Sequence, residues 1–134
     1  MYKGAVMQDL INLVGRILMA AIFVHAGYGK MTNYAGTSQY FEHLGLPVPL
    51  LPLVILLELG GGIALALGLF TRFVAFALAG FCILTAVIVH YHPGDQMQMI
   101  NFMKNVAMCG GFLFITAYGP GRISLDGKYG LPWK

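Results

Sequence analysis

Residues 50–70 read LLPLVILLELGGGIALALGLF, an apolar run broken by a single ionisable side chain, Glu58. The hydrocarbon core of a bilayer is about 30 Å thick and takes roughly 20 helical residues to cross, so this stretch fits one crossing. Thr71 and Arg72 follow, and the chain is then apolar again from Phe73 to Tyr91, with no ionisable group before His90. A connection that short makes the two segments antiparallel neighbours. Two more segments flank the pair. One runs from about Leu10 to Tyr28, interrupted by Arg16 and His25; the other runs from about Met97 to Tyr118, with Asn101, Lys104 and Asn105 in its first half. Gly119, Pro120 and Gly121 stop the last one.

Four crossings consume about 80 residues, which leaves only loops and tails in a chain of 134. Hydrophobic residues make up 58% and charged residues 10%; soluble domains carry about a quarter charged. The expected fold is all-α, a four-helix transmembrane bundle forming one domain over residues 1–134. There is no room for a soluble catalytic domain. Between the first and second spans, the turn-rich stretch from Gly29 to Pro49 contains one short helix, capped by Thr37 or Ser38 and ended by Gly45 ahead of Pro47. Tyr40, Phe41 and Leu44 give it an apolar face, and about eight residues are too few to span, so it is expected to lie at the membrane interface.

The net charge of +3 comes from scattered basic residues that form no stripe, which argues against a nucleic-acid partner. Lys3, Arg72, Arg122, Lys128 and Lys134 fall on one side of the bilayer and Lys30 on the other, which predicts cytoplasmic N- and C-termini. Cys82 and Cys109 lie inside apolar segments without C-x-x-C spacing, so neither a disulfide framework nor a metal site is expected. His25 and His90 fall near the outer ends of their helices and read as interfacial side chains, not as ligands to a haem. Small residues at helical spacing offer close-packing stripes: Gly60, Ala64 and Gly68; Ala75 and Ala79; Ala107 and Gly111.

Charges within the spans are the chemically informative residues. Each costs about 2.5 to 3.5 kcal/mol at the bilayer centre, so Arg16, Glu58 and Lys104 are expected to turn away from lipid. Arg16 shares a helical stripe with Ala20, Phe23, Gly27 and Lys30; Glu58 shares one with Gly62 and Leu65; Lys104 aligns with Asn101, Met108 and Gly111. Counting rise from the helix ends sets Glu58 near mid-depth between two counter-ions, Arg16 and Lys104. Two readings stand: an internal salt bridge that fixes helix register, or a polar ligand site. As a site, Arg16, Glu58, Lys104, Asn105, Asn101 and Lys30 would suit an oxygen-rich head group such as a quinone ring, or an oxyanion.

The runs Gly15-Arg16-Ile17-Leu18-Met19, Gly27-Tyr28-Gly29-Lys30, Leu57-Glu58-Leu59-Gly60-Gly61-Gly62, Met103-Lys104-Asn105 and Gly119-Pro120-Gly121 resemble the DoxX family, and the resemblance covers nearly the whole chain. It implies a four-helix protein of the bacterial inner membrane. Some relatives look like membrane subunits of thiosulfate:quinone oxidoreductases and others are associated with oxidative-stress complexes. The resemblance marks Arg16, Lys30, Glu58, Lys104 and Asn105 as motif positions without assigning them roles. The expectation is a quinone-interacting membrane subunit that takes electrons from a soluble redox partner and is no enzyme alone. A small anion or proton carrier, or a scaffold that recruits redox proteins, are the alternatives. Assembly into a homo-oligomer is left open.

Overall fold

A computed structural model describes residues 3–131; Lys134, counted above among the basic residues, lies outside the described residues. Four of its helices are long and apolar enough to cross a membrane: α1 (Lys3–Thr32), α3 (Leu50–Leu67), α4 (Thr71–His90) and α5 (Gln96–Tyr118). Two short helices complete the described chain, α2 (Tyr34–His43) between the first two spans and α6 (Leu125–Tyr129) after the last. With four crossings, the start of α1 and the segment carrying α6 meet at one end of the bundle, the terminal end. The α2 helix and the loop at residues 91–95 lie at the other.

The expected spans are present, with shifted ends. α1 extends beyond Leu10 and Tyr28 in both directions and is 30 residues long. At about 1.5 Å per residue this exceeds the thickness of the hydrocarbon core. The helix between the first two spans starts at Tyr34, earlier than the Thr37 or Ser38 cap predicts. Thr37 instead turns its hydroxyl back to the Asn33 carbonyl at 2.9 Å, a bond made within a helix rather than at its start. Gly45 ends that piece as expected, with φ +74.

Close approach of α1 and α3 sets the bundle's geometry. A Cβ on Gly27 would lie 2.7 Å from the backbone nitrogen of Leu59, and one on Gly62 would lie 3.1 Å from that of Val24. These backbones touch where only hydrogen fits. The stripe of Gly60 and Ala64 is not the contact: Gly60 is exposed, and a Cβ there would meet only its own helix, at Leu56. Phe23, Leu65, Leu78, Cys82, Cys109 and Phe112 form the centre of the core, with the Phe23 and Phe112 rings edge to face at 5.3 Å.

Two spans depart from regular α-helix. α3 passes through a π-helical turn at Leu56–Gly60, and α4 ends in one at Ala86–His90. Such turns insert an extra residue, re-aim side chains, and occur frequently at functional sites.

Candidate functional site

The polar residues inside the spans gather at two levels, separated by the apolar core. Arg16, at the terminal end, is 1% exposed. Its Nε donates to Asn12 Oδ1 at 3.0 Å, and one terminal nitrogen donates to the carbonyls of Leu65 and Ala66 at 3.1 and 3.0 Å. The other terminal nitrogen donates to the Ile123 carbonyl. Leu65 and Ala66 belong to the last turn of α3, where carbonyls run short of helical partners, although Leu65 also accepts from the Gly68 N–H at 3.1 Å, and where the dipole favours a cation. Asp126 completes this hub: its two carboxylate oxygens accept from the backbone of Phe70 and Thr71, each at 2.8 Å, where α4 begins. Phe70 has φ +47, which turns the chain sharply enough to aim both N–H groups at one carboxylate. Asn12 also donates to the Gly119 carbonyl, and Asp9 pairs with Arg122 at 2.7 Å. Residues 120–131 are thus a docked plug at this end of the bundle.

The second level is a cavity of about 450 Å³ at the opposite end. Its wall is mostly apolar, with Ile22, Phe23, Phe81, Leu84 and Met108 toward the bundle centre, and Tyr40, Phe41, Leu44 and Leu46 contributed by α2 and the turn after it. The polar lining consists of Lys30, Glu58, Thr85, His90, Asn105 and Tyr40. Both π-helical turns reach this wall, one through Glu58 and the other through Ile88, Val89 and His90. Lys30 Nζ lies 2.8 Å from Glu58 Oε1, with the Glu58 side chain 3% exposed and that of Lys30 28%. This is an ion-pair contact rather than an aligned hydrogen bond, so Oε1 keeps capacity to accept. On the facing helices, Thr85 donates to Asn105 Oδ1 at 3.1 Å and Asn105 donates to the Asn101 carbonyl at 3.0 Å. His90 Nδ1 is 2.8 Å from Gln98 Oε1.

The six residues singled out from sequence therefore divide. Lys30, Glu58 and Asn105 line the cavity. Asn101 is half-buried and supports Asn105 from behind. Arg16 is committed to the terminal hub and does not meet Glu58. The expectation that Lys104 turns inward is corrected: Lys104 is exposed, and neither lines the cavity nor pairs with Glu58. The inward stripe of α5 is Asn105, Cys109 and Phe112, and Lys104 stands one residue, or about 100°, off it. The counter-ion of Glu58 is Lys30. Thr85 and His90 were not among the candidates, although a histidine and a threonine near the end of an apolar span are visible signals for a polar rim.

The family model described as DoxX matches residues 11–91. Inner membrane protein YqjF of Escherichia coli (strain K12) is 46% identical over 127 residues, covering 95% of this chain and 98% of the relative. Inner membrane protein YphA of the same organism is 41% identical over 126 residues, covering 89% and 90%. No solved structure matches. With four helices able to cross a bilayer and near-full-length relatives named as inner membrane proteins, the chain is an integral inner-membrane protein and belongs to the DoxX family.

Proposed function

We propose that the cavity seats the head group of a membrane-dissolved quinone, and that the protein is the quinone-interacting membrane subunit of a redox or oxidative-stress system. The observation that carries this is the Lys30–Glu58 pair, with Glu58 buried and Lys30 half-buried in the wall of a mostly apolar cavity. Ligand cavities of 300 to 1,000 Å³ with apolar walls and a few convergent polar groups are the usual form of small-molecule sites. Such a cavity suits a ring that is apolar across its faces and polar at its oxygens. Lys30 would donate to a ring oxygen, and Glu58 would hold the proton that accompanies reduction. Electrons would come from a soluble partner.

The rival reading, a small carrier or channel, is less favoured by the layout. The layer of Phe23, Leu65, Leu78 and Phe112 separates the cavity from the Arg16 hub, so the two polar levels do not join into a path across the bundle.

Organic-extract mass spectrometry on protein purified in lipid discs tests the reading directly. A near-stoichiometric quinone is expected from the native protein, and less than a tenth of it from a Lys30→Met, Glu58→Gln variant, which stays neutral at that point. Clean extracts from both proteins would sink the proposal, and flux of anions or protons in liposomes would replace it with the carrier.

A further inference from the structure

Resting on the quinone reading of the cavity, we propose that His90 makes the site selective for the reduced, hydroxyl-bearing form of its ligand. The structure sets Gln98 Oε1, an oxygen that can only accept, 2.8 Å from Nδ1, and in that arrangement the neutral ring carries its hydrogen on Nδ1. Nε2 is then a bare lone pair, with no protein partner among the described residues. Gln98 does not line the cavity and His90 does, so the nitrogen left for a ligand is the accepting one. A quinol hydroxyl can donate to it. A quinone carbonyl meets acceptor against acceptor.

The rest of the polar lining does not cancel this preference: the amide N–H that Asn105 has left serves either form, since a hydroxyl oxygen accepts as a carbonyl does. At the Lys30–Glu58 end either form is served, because the ammonium donates to a carbonyl while Glu58 Oε1 accepts from a hydroxyl. Thr85 has one hydroxyl hydrogen and three acceptors in reach, at 2.9, 3.1 and 3.1 Å, and so has none to spare. From Leu50 to Glu58 on α3, and from Phe81 to His90 on α4, the cavity wall covers nine and ten residues, at most about 12 to 14 Å of rise because both stretches include π-helical turns. With Glu58 and His90 both in the lining, that length is enough for one ring with an oxygen at either end. Selectivity of this kind is strong because the mismatched form leaves a polar group of the site unpaired.

Equilibrium binding in lipid discs, without oxygen, tests the inference with a short-chain substituted benzoquinone and the quinol made from it. The quinol should bind about five to ten times more tightly, the worth of one hydrogen bond. His90→Phe removes the acceptor and should bring the ratio to about one by the same measure. Gln98→Leu keeps the ring but releases the tautomer, and should also move the ratio toward one, which covers the case of a His90→Phe protein that does not fold. Tyr40→Phe removes the hydroxyl of another polar lining residue and should leave the preference in place. Equal binding of the two forms by the native protein, tighter binding of the quinone, or a ratio unmoved by both His90→Phe and Gln98→Leu overturns the assignment while leaving the cavity reading standing. Binding of neither form overturns both.

Discussion

Lys30 and Glu58 hold each other in a place where either alone is costly. Removing one member of a buried pair leaves an uncompensated charge, whereas replacing both by neutral groups of similar size is close to neutral. Lys30→Met should therefore destabilise the bundle by about 1 to 3 kcal/mol, less than for a fully buried pair because the Lys30 side chain is 28% exposed, and adding Glu58→Gln should recover most of that loss. Thermal unfolding in mild detergent measures both; a double variant no more stable than the single would show that the pair is not coupled. This partnership was only half legible in the sequence. Periodicity placed Arg16 and Glu58 on inward faces, and the buried stripes of Arg16, Ala20, Phe23 and Gly27, and of Glu58, Gly62 and Leu65, bear that out. Periodicity says nothing about the axial offset of one helix against another, and that offset decides whether Glu58 meets Arg16 or Lys30. Lys104 failed for a different reason: its helix is amphipathic only weakly, with Cys109 and Phe112 its buried residues, so a one-residue error in the stripe turned an outward lysine inward.

Among the helices, the contact between α1 and α3 fixes that offset, and two glycines make it. Ala at position 27 drives a methyl group against the Leu59 backbone, which cannot yield as a flexible side chain can. Overpacking of this kind costs about 1 to 3 kcal/mol or more. Gly60→Ala meets nothing but its own Leu56 at 3.5 Å and should be neutral, or up to about 1 kcal/mol stabilising through helix propensity. Unfolding midpoints of the two variants, compared side by side, check the contrast; equal effects would mean the helices do not touch at Gly27. A count of small residues favours the more regular stripe of Gly60, Ala64 and Gly68, which is why sequence alone chose the wrong glycine. Gly68 does pack tightly, but against Ser124 and Arg16 at the terminal hub. That hub escaped notice because residues 119–131 are rich in turn formers and carry no helical period, while the groups Asp126 satisfies are backbone N–H donors, which no side-chain pattern displays.

For the whole molecule, the two ends differ in charge as they differ in structure. Lys3, Arg72, Arg122 and Lys128 all belong to the terminal end, whereas residues 33–49 and 91–95 at the other end contain no lysine or arginine. Lys30 lies in the cavity wall and is neutralised by Glu58, so it does not oppose the bias. Basic residues close to the ends of spans are usually retained on the cytoplasmic side, so the expected orientation has the Arg16 hub inward and the cavity end, with α2 and His90, toward the outer face of the membrane. The orientation matters for function. A soluble electron donor in the cytoplasm would face the docked plug rather than the cavity, and a ligand would enter from the membrane or from the outer side, past α2. Single cysteines, introduced after Cys82 and Cys109 are replaced by alanine, decide it. Gly94→Cys should react with a membrane-impermeant maleimide when it is applied from the outer side, while Lys128→Cys should react only once the membrane is opened. The reverse pattern would place the cavity mouth in the cytoplasm, and a cytoplasmic redox partner could then dock over α2 and reach the cavity directly.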